Sequence, residues 1–147
     1  MDMNRIKFLR DENELTQTEI SNILGCSRSA YSLWEINKNV IPLYYLNKIS
    51  NFFNVNIDYL TGLSENKFIE FRKNEINKKE LGKKIKLARK EKHLSQETLA
   101  KKLNTTHSVI SAYELGKTTV PTLFLIEISK ITNKSLNCFL DKNKKIS

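Results

Sequence analysis

The sequence predicts an all-α protein built as two tandem five-helix domains, on three observations. The chain repeats itself: residues 6–60 and 85–139 align without a gap at an offset of 79 and are identical at 16 of 55 positions. Four Gly and two Pro in 147 residues leave little punctuation for a many-stranded sheet, whereas runs of Leu, Ile, Lys and Glu suit helices. Helix-start residues also recur in both halves, as Thr16/Ser95, Ser27/Thr106 and Pro42/Pro121. A unit of about 60 residues buries only a modest core, which favours a simple helical fold. The expected organisation is a first domain over 1–63, a partly helical linker over 64–77, and a second domain over 78–147.

In the first copy, Ile6, Leu9 and Asn13 share one helical face with Asp2 available as a cap, which predicts a helix over 4–13. Thr16 with Glu19 three residues on is a capping box opening a helix over 17–24, with Ile20, Ile23 and Leu24 inside. Gly25-Cys26-Ser27 is a tight turn, and Ser27 caps a third helix over 28–36 with Tyr31 and Trp34 on its inner side. Pro42 suits the first turn of a fourth helix over 42–53, where Leu46, Ile49 and Phe53 face inward. A short fifth helix follows over 57–61.

The second copy repeats each step. Ser95 caps 96–103, Asn104-Thr105-Thr106 replaces the turn, Thr106 caps 107–115, and Gly116 stops that helix. Pro121 opens the fourth helix and 136–140 is the fifth. Between the copies, Asn77 with Glu80 reads as a fresh cap. Phe68 and Phe71 are expected to lie against the fifth helix of the first domain; a coiled or dimer contact is the alternative.

Net charge is +9, which points to a polyanionic partner. The charge is uneven: residues 1–63 carry −1, 64–79 carry +2 and 80–147 carry +8. No stretch is long and apolar enough to span a bilayer, and the first residues lack the apolar core of a signal peptide, so a cytoplasmic protein with no membrane partner is expected. Cys26 and Cys138 occupy non-equivalent repeat positions, so neither belongs to a duplicated disulfide or metal framework. With two His and no close Cys/His cluster, neither a metal site nor a cofactor is expected. A small turn residue is the plain reading of Cys26, and a redox sensor the sharper one. There is no Gly-rich phosphate loop and no clustered catalytic set, so an enzyme is not expected.

Helix, tight turn, helix, with Gln opening the first helix and a polar start to the second, describes a helix-turn-helix. Such a pair exposes the start of its second helix to the major groove of DNA. The two segments LTQTEISNILGCSRSAYSLWEINK (15–38) and LSQETLAKKLNTTHSVISAYELGK (94–117) resemble the lambda-repressor/Cro-like (XRE) helix-turn-helix family. The resemblance implies double-stranded DNA as partner. It implies that Gln17 and Gln96 contact phosphate or an outer base edge. It places Ser27, Arg28, Ser29, Ser32 and Leu33 toward the groove in the first copy, and Thr106, His107, Ser108, Ser111 and Ala112 in the second. Lys38 and Lys117 would lie near the backbone, and Arg10 with Glu35 and Arg89 with Glu114 would form internal ion pairs.

Plainer readings stand beside these. Tyr31, Trp34, Ile110 and Tyr113 read as core, Gln17 as a capping aid, and His107 as a solvated helix start. Lys83, Lys84, Lys86, Lys90 and Lys92 read as a largely solvated charge run. Arg28 is the one long forked donor on either reading face, whereas the second copy has Thr, His and Ser there and most of the charge. The expectation is therefore a sequence-specific transcriptional regulator, in the sense of a repressor, with the first domain supplying more base preference and the second more phosphate affinity. The linker could span on the order of 50 Å extended or about 24 Å as helix, against about 34–36 Å between half-sites. Homodimerisation would give four heads. The alternative is an antitoxin or anti-repressor type module that holds a protein partner on its first domain.

Overall fold

Four left-handed backbone positions recur at the offset of the repeat: Glu14 and His93 (φ 55° and 56°), Gly25 and Asn104 (75° and 54°), Asn37 and Gly116 (58° and 72°), and Asn54 and Asn133 (53° and 55°). Each ends a helix or the turn after it, where reversal of the chain needs positive φ, a region that Gly and Asn enter at low cost. The computed structural model describes residues 1–69, 75–141 and 146. Among them are ten helices and no strand. The protein is all-α.

The chain divides into two compact units, residues 1–73 and 74–147. The first holds α1 (Asn4–Glu12), α2 (Gln17–Leu24), α3 (Arg28–Glu35), α4 (Leu43–Phe53) and α5 (Ile57–Leu60). The second holds α6 (Lys78–Glu91), α7 (Gln96–Lys102), α8 (His107–Glu114), α9 (Thr122–Thr132) and α10 (Leu136–Leu140). Caps account for most starts. Thr16, Ser27 and Ser95 each accept from the backbone N–H three residues on, and Asn77 accepts from both Lys79 and Glu80. Pro42 and Pro121 sit at the N-cap, one place before the first helical turn, so α4 begins at Leu43 rather than at 42.

The two cores are built from paired positions. Ile6, Ile20, Leu24, Ile41, Leu46, Ile49 and Leu60 are buried in the first unit, and Ile85, Leu99, Leu103, Val120, Leu125, Ile128 and Phe139 take their places in the second. Each unit also has a cation closing the end of its last helix. Arg5 donates to the carbonyls of Tyr59 and Ser64 at 2.7 and 2.8 Å. At the same repeat position Lys84 donates to the carbonyls of Cys138 and Asp141. Lys84 is therefore a half-buried structural residue, unlike exposed Lys83, Lys86, Lys90 and Lys92 of the same charge run.

Several expectations are corrected. Ile23 is 42% exposed, because α2 is short and its inward stripe is filled by Ile20 and Leu24. Thr106 occupies the N-cap of α8 but caps no amide; its hydroxyl lies 3.3 Å from that of Ser108. At φ −106° its short side chain is carried away from the helix amides, whereas Asn77, at φ −105°, has the length to reach two of them. Residues 64–69 and 75–77 are not helical. Asn56 N–H donates to Lys67 O at 3.0 Å, so the chain lies extended beside the start of α5. Extended backbone alternates its side chains, and it is Ile69 that turns inward while Phe68 stands 74% exposed. Phe71 and the rest of 70–74 lie outside the described residues.

Candidate nucleic-acid interface

A buried ion pair ties the first helix of each unit to the end of the third. In the first unit Arg10 Nε lies 2.6 Å and Nη2 3.2 Å from the two Glu35 oxygens, and Nη1 donates to Leu15 O at 2.8 Å. In the second, Arg89 makes the same fork on Glu114 at 2.7 and 3.0 Å and bonds Leu94 O at 2.7 Å. A planar guanidinium matches a carboxylate in this way, and its remaining donor satisfies a carbonyl in the connection before the next helix.

The glutamines complete the lock. Gln17 Nε2 donates to Glu35 Oε2 at 2.7 Å and Gln96 Nε2 to Glu114 Oε1 at 3.0 Å. Each Gln is the first residue of its helix and is half-buried. Their amide nitrogens are thus engaged inside the protein, and capping is done by Thr16 and Ser95. The arrangement fixes α2 against α3, and α7 against α8, through one carboxylate in each unit. Tyr31 is more than a core residue. Its hydroxyl also donates to Glu35 Oε1 at 2.8 Å, across the i, i+4 spacing that puts both on one face of α3. Ile110 replaces it in the second unit, which has no such bond.

These contacts set the charge state of the first network. Burial pushes the Glu35 carboxyl up, but hydrogen bonds from Arg10, Gln17 and Tyr31, with the Arg10 charge, outweigh it and hold the group below the usual carboxylate range. Burial and the Glu35 contact push the Tyr31 phenol well above its ordinary value. Because the folded Glu35 value is depressed, its contribution to stability is present above the unfolded carboxyl value, about 4.3, and drains as pH falls through the folded one. Trp34 is the single tryptophan and is buried beside this network, so its fluorescence reports on the first unit. Denaturant titrations followed at Trp34 are expected to lose stability on acidification below about pH 4, and Glu35→Gln is expected to flatten that pH dependence. An unchanged slope in the variant would remove Glu35 as its cause.

With the frame locked, the starts of α3 and α8 stand outside. Ser27, Arg28 and Ser29 are exposed, Ser32 and Leu33 half-buried one turn further on, and Lys38 exposed beyond the helix end. Thr106, His107 and Ser108 are exposed, Ser111 and Ala112 half-buried, and Lys117 exposed. Ser27 Oγ already accepts from Ala30 N–H at 3.1 Å, so its lone pairs are partly spent on the cap. Glu35 and Glu114 are buried and contribute no exposed negative charge to these faces.

Both halves match helix-turn-helix family models. Residues 3–63 match one described as "Helix-turn-helix domain", and residues 85–137 match one described as "Helix-turn-helix". The chain belongs to the XRE helix-turn-helix family, with one copy in each half. No curated protein and no solved structure is significantly similar to it.

Helix-turn-helix domains of this type are DNA-binding regulatory domains, and the two families are not enzymatic ones. In this tandem helix-turn-helix protein α2 with α3, and α7 with α8, are the helix pairs. Among the described residues no group of three or more His, Cys, Asp or Glu could hold a metal, and no helix is long and apolar enough to cross a membrane. Cys26 and Cys138 are free, half-buried thiols, and burial pushes Cys26 up, away from the thiolate that redox sensing requires.

Proposed function

We propose that this protein is a sequence-specific transcriptional regulator, acting as a repressor, whose α3 and α8 each read a half-site in double-stranded DNA. The observation that carries the reading is the exposed polar start of each recognition helix, held on a frame locked by Arg10–Glu35–Gln17 and Arg89–Glu114–Gln96. Precise side-chain placement is what base recognition demands, and a buried bidentate pair supplies it. Ser27, Arg28, Ser29, Ser32 and Leu33 face the groove in the first copy, and Thr106, His107, Ser108, Ser111 and Ala112 in the second. Gln17 and Gln96 present their helix starts to phosphate, and Lys38 and Lys117 meet the backbone.

The copies share this work unequally. Arg28 is a forked donor that can pair bidentately with guanine, a contact that discriminates by about 1–3 kcal/mol. The second face offers only short hydroxyls and His107, but its unit carries nearly all the positive charge. Arg28→Ala is expected to relax base preference by roughly ten- to a hundredfold at one position, leaving the salt dependence nearly intact. Lys117→Gln is expected to do the reverse, lowering the salt slope by about 0.9 without changing preference. Selection from random duplexes, followed by titration at several salt concentrations, measures both. The same profile in both variants would reject the division.

A second reading rests on Ile36, Val40 and Tyr44, large apolar side chains exposed on the near-neutral first unit. They would suit a protein partner, as in an antitoxin or anti-repressor. Selection that recovers no motif, with DNA affinity no better than non-specific, would favour that reading.

A further inference from the structure

The helix that opens the second unit begins more than a turn earlier in the shared register than its counterpart: α6 starts at Lys78, whereas α1 starts at Asn4. That additional turn is pressed against the end of α8. A Cβ on Gly82 would stand 2.6 Å from Glu114 O and nearer still to Tyr113 O, and a Cβ on Gly116 would stand 2.7 Å from Lys79 Cα. Two glycines, one on each side of the crossing, thus let the two backbones touch. In the first unit the corresponding residues are Met3, buried in the core, and Asn37.

The close crossing gathers lysines. Lys78 Nζ donates to Lys117 O at 3.5 Å, and Lys79 lies directly over Gly116. All three of Lys78, Lys79 and Lys117 are exposed. The one acidic side chain of the turn, Glu80, faces Lys83 Nζ at 3.6 Å. Asn77 Oδ1 holds the turn by accepting from Lys79 and Glu80 N–H at 3.0 and 3.1 Å, so the lysines are presented on ordered backbone. Lysines beside the carbonyl end of α8 gain something from its dipole. The crossing thus brings three exposed lysine positions to one place at the end of α8, a concentration of positive charge that suits an anion.

We propose that Lys78 and Lys79 join Lys117 in one phosphate-binding cluster at the end of α8, gripping the DNA backbone beside the second half-site. This rests on the reading above that α8 enters the groove. In the first unit Lys38 is the counterpart of Lys117, and the cluster adds sequence-independent affinity to the copy with the weaker base-reading face. It deepens the division of labour with residues that lie outside the helix-turn-helix segment itself.

The test is titration of the full chain against a labelled mixed-sequence duplex at several salt concentrations. Each phosphate contact removed lowers the slope of log K against log salt by about 0.9, so Lys78→Gln/Lys79→Gln is expected to lower it by roughly 1.8. Lys78→Arg/Lys79→Arg is expected to keep the wild-type slope. Lys86→Gln/Lys90→Gln removes the same charge from exposed positions further along α6 and is expected to leave the slope near wild type. Superimposable thermal melts identify variants that remain folded. A wild-type slope in the Lys78/Lys79 double variant, or equal losses in both Gln double variants, overturns the cluster while leaving DNA binding in place. A wild-type chain whose duplex binding does not depend on salt overturns the DNA reading together with the cluster.

Discussion

Glu114→Ala is expected to destabilise the second unit by about 3–5 kcal/mol. The carboxylate is 2% exposed at its side chain and receives Arg89 twice and Gln96 once. Truncating it leaves a guanidinium that is 9% exposed without its counter-charge, and a Gln donor without its acceptor. Far-UV circular dichroism during denaturant unfolding follows the helices of both units, whereas Trp34 fluorescence follows the first unit. The variant is expected to shift the dichroism transition of the second unit and to leave the fluorescence transition in place. Glu35→Ala should shift the fluorescence transition instead, releasing Arg10, Gln17 and Tyr31 together. A loss below about 1 kcal/mol for Glu114→Ala would show that Arg89 reaches solvent once released, and that the pair does not lock the frame. The consequence for function runs through geometry: with Gln96 and Arg89 freed, α7 and α8 lose the contact that fixes their crossing, and base preference should fall along with stability.

Gly82→Ala is the second large effect, and its sign is the informative part. Helix preference alone would make Ala better than Gly by about 1 kcal/mol in the interior of α6. The added methyl would collide with backbone carbonyls of Tyr113 and Glu114, which cannot rotate away as a side chain can. Overpacking of this kind costs about 1–3 kcal/mol, sometimes more, so a net loss of stability is expected. The same change should push α6 away from α8, lowering the salt slope of DNA binding even though no charge is removed. A stabilised variant with unaltered binding would mean that the crossing is looser than the contact distances imply.

How far the sequence could be read depended on whether a signal was local. The capping residues Thr16, Ser27, Ser95 and Asn77 act on amides two or three residues away, so their pattern is visible along the chain and the structure has each of them capping. Ile6, Leu9, Ile20, Leu24, Tyr31 and Trp34 follow helical periodicity into the core. Ile23 and Phe68 broke expectation because each assignment needed a neighbour: a short helix buries a narrow stripe, and an extended chain shows alternate faces. Thr106 failed as a cap because at φ −106° its short side chain does not reach the helix amides, and that backbone angle is not legible in the residue type. In the candidate interface, the exposed starts of α3 and α8 follow from the turn and cap residues. The partners of Gln17, Tyr31 and Lys84 do not, since those contacts join groups brought together only when helices pack.

Taken alone, the sequence determined that one helical unit is used twice, where its helices start to within about a residue, and how unevenly the charge is shared. Such properties depend on residue type and on spacing within a turn or two, so they survive in a linear string. Only the tertiary structure decided that Gln17 and Gln96 turn inward onto Glu35 and Glu114, that Lys84 closes α10, and that Gly82 and Gly116 bring Lys78 and Lys79 to Lys117. Each of those outcomes depends on distances of a few ångströms between segments remote in the chain. Packing density, rather than local preference, sets such distances.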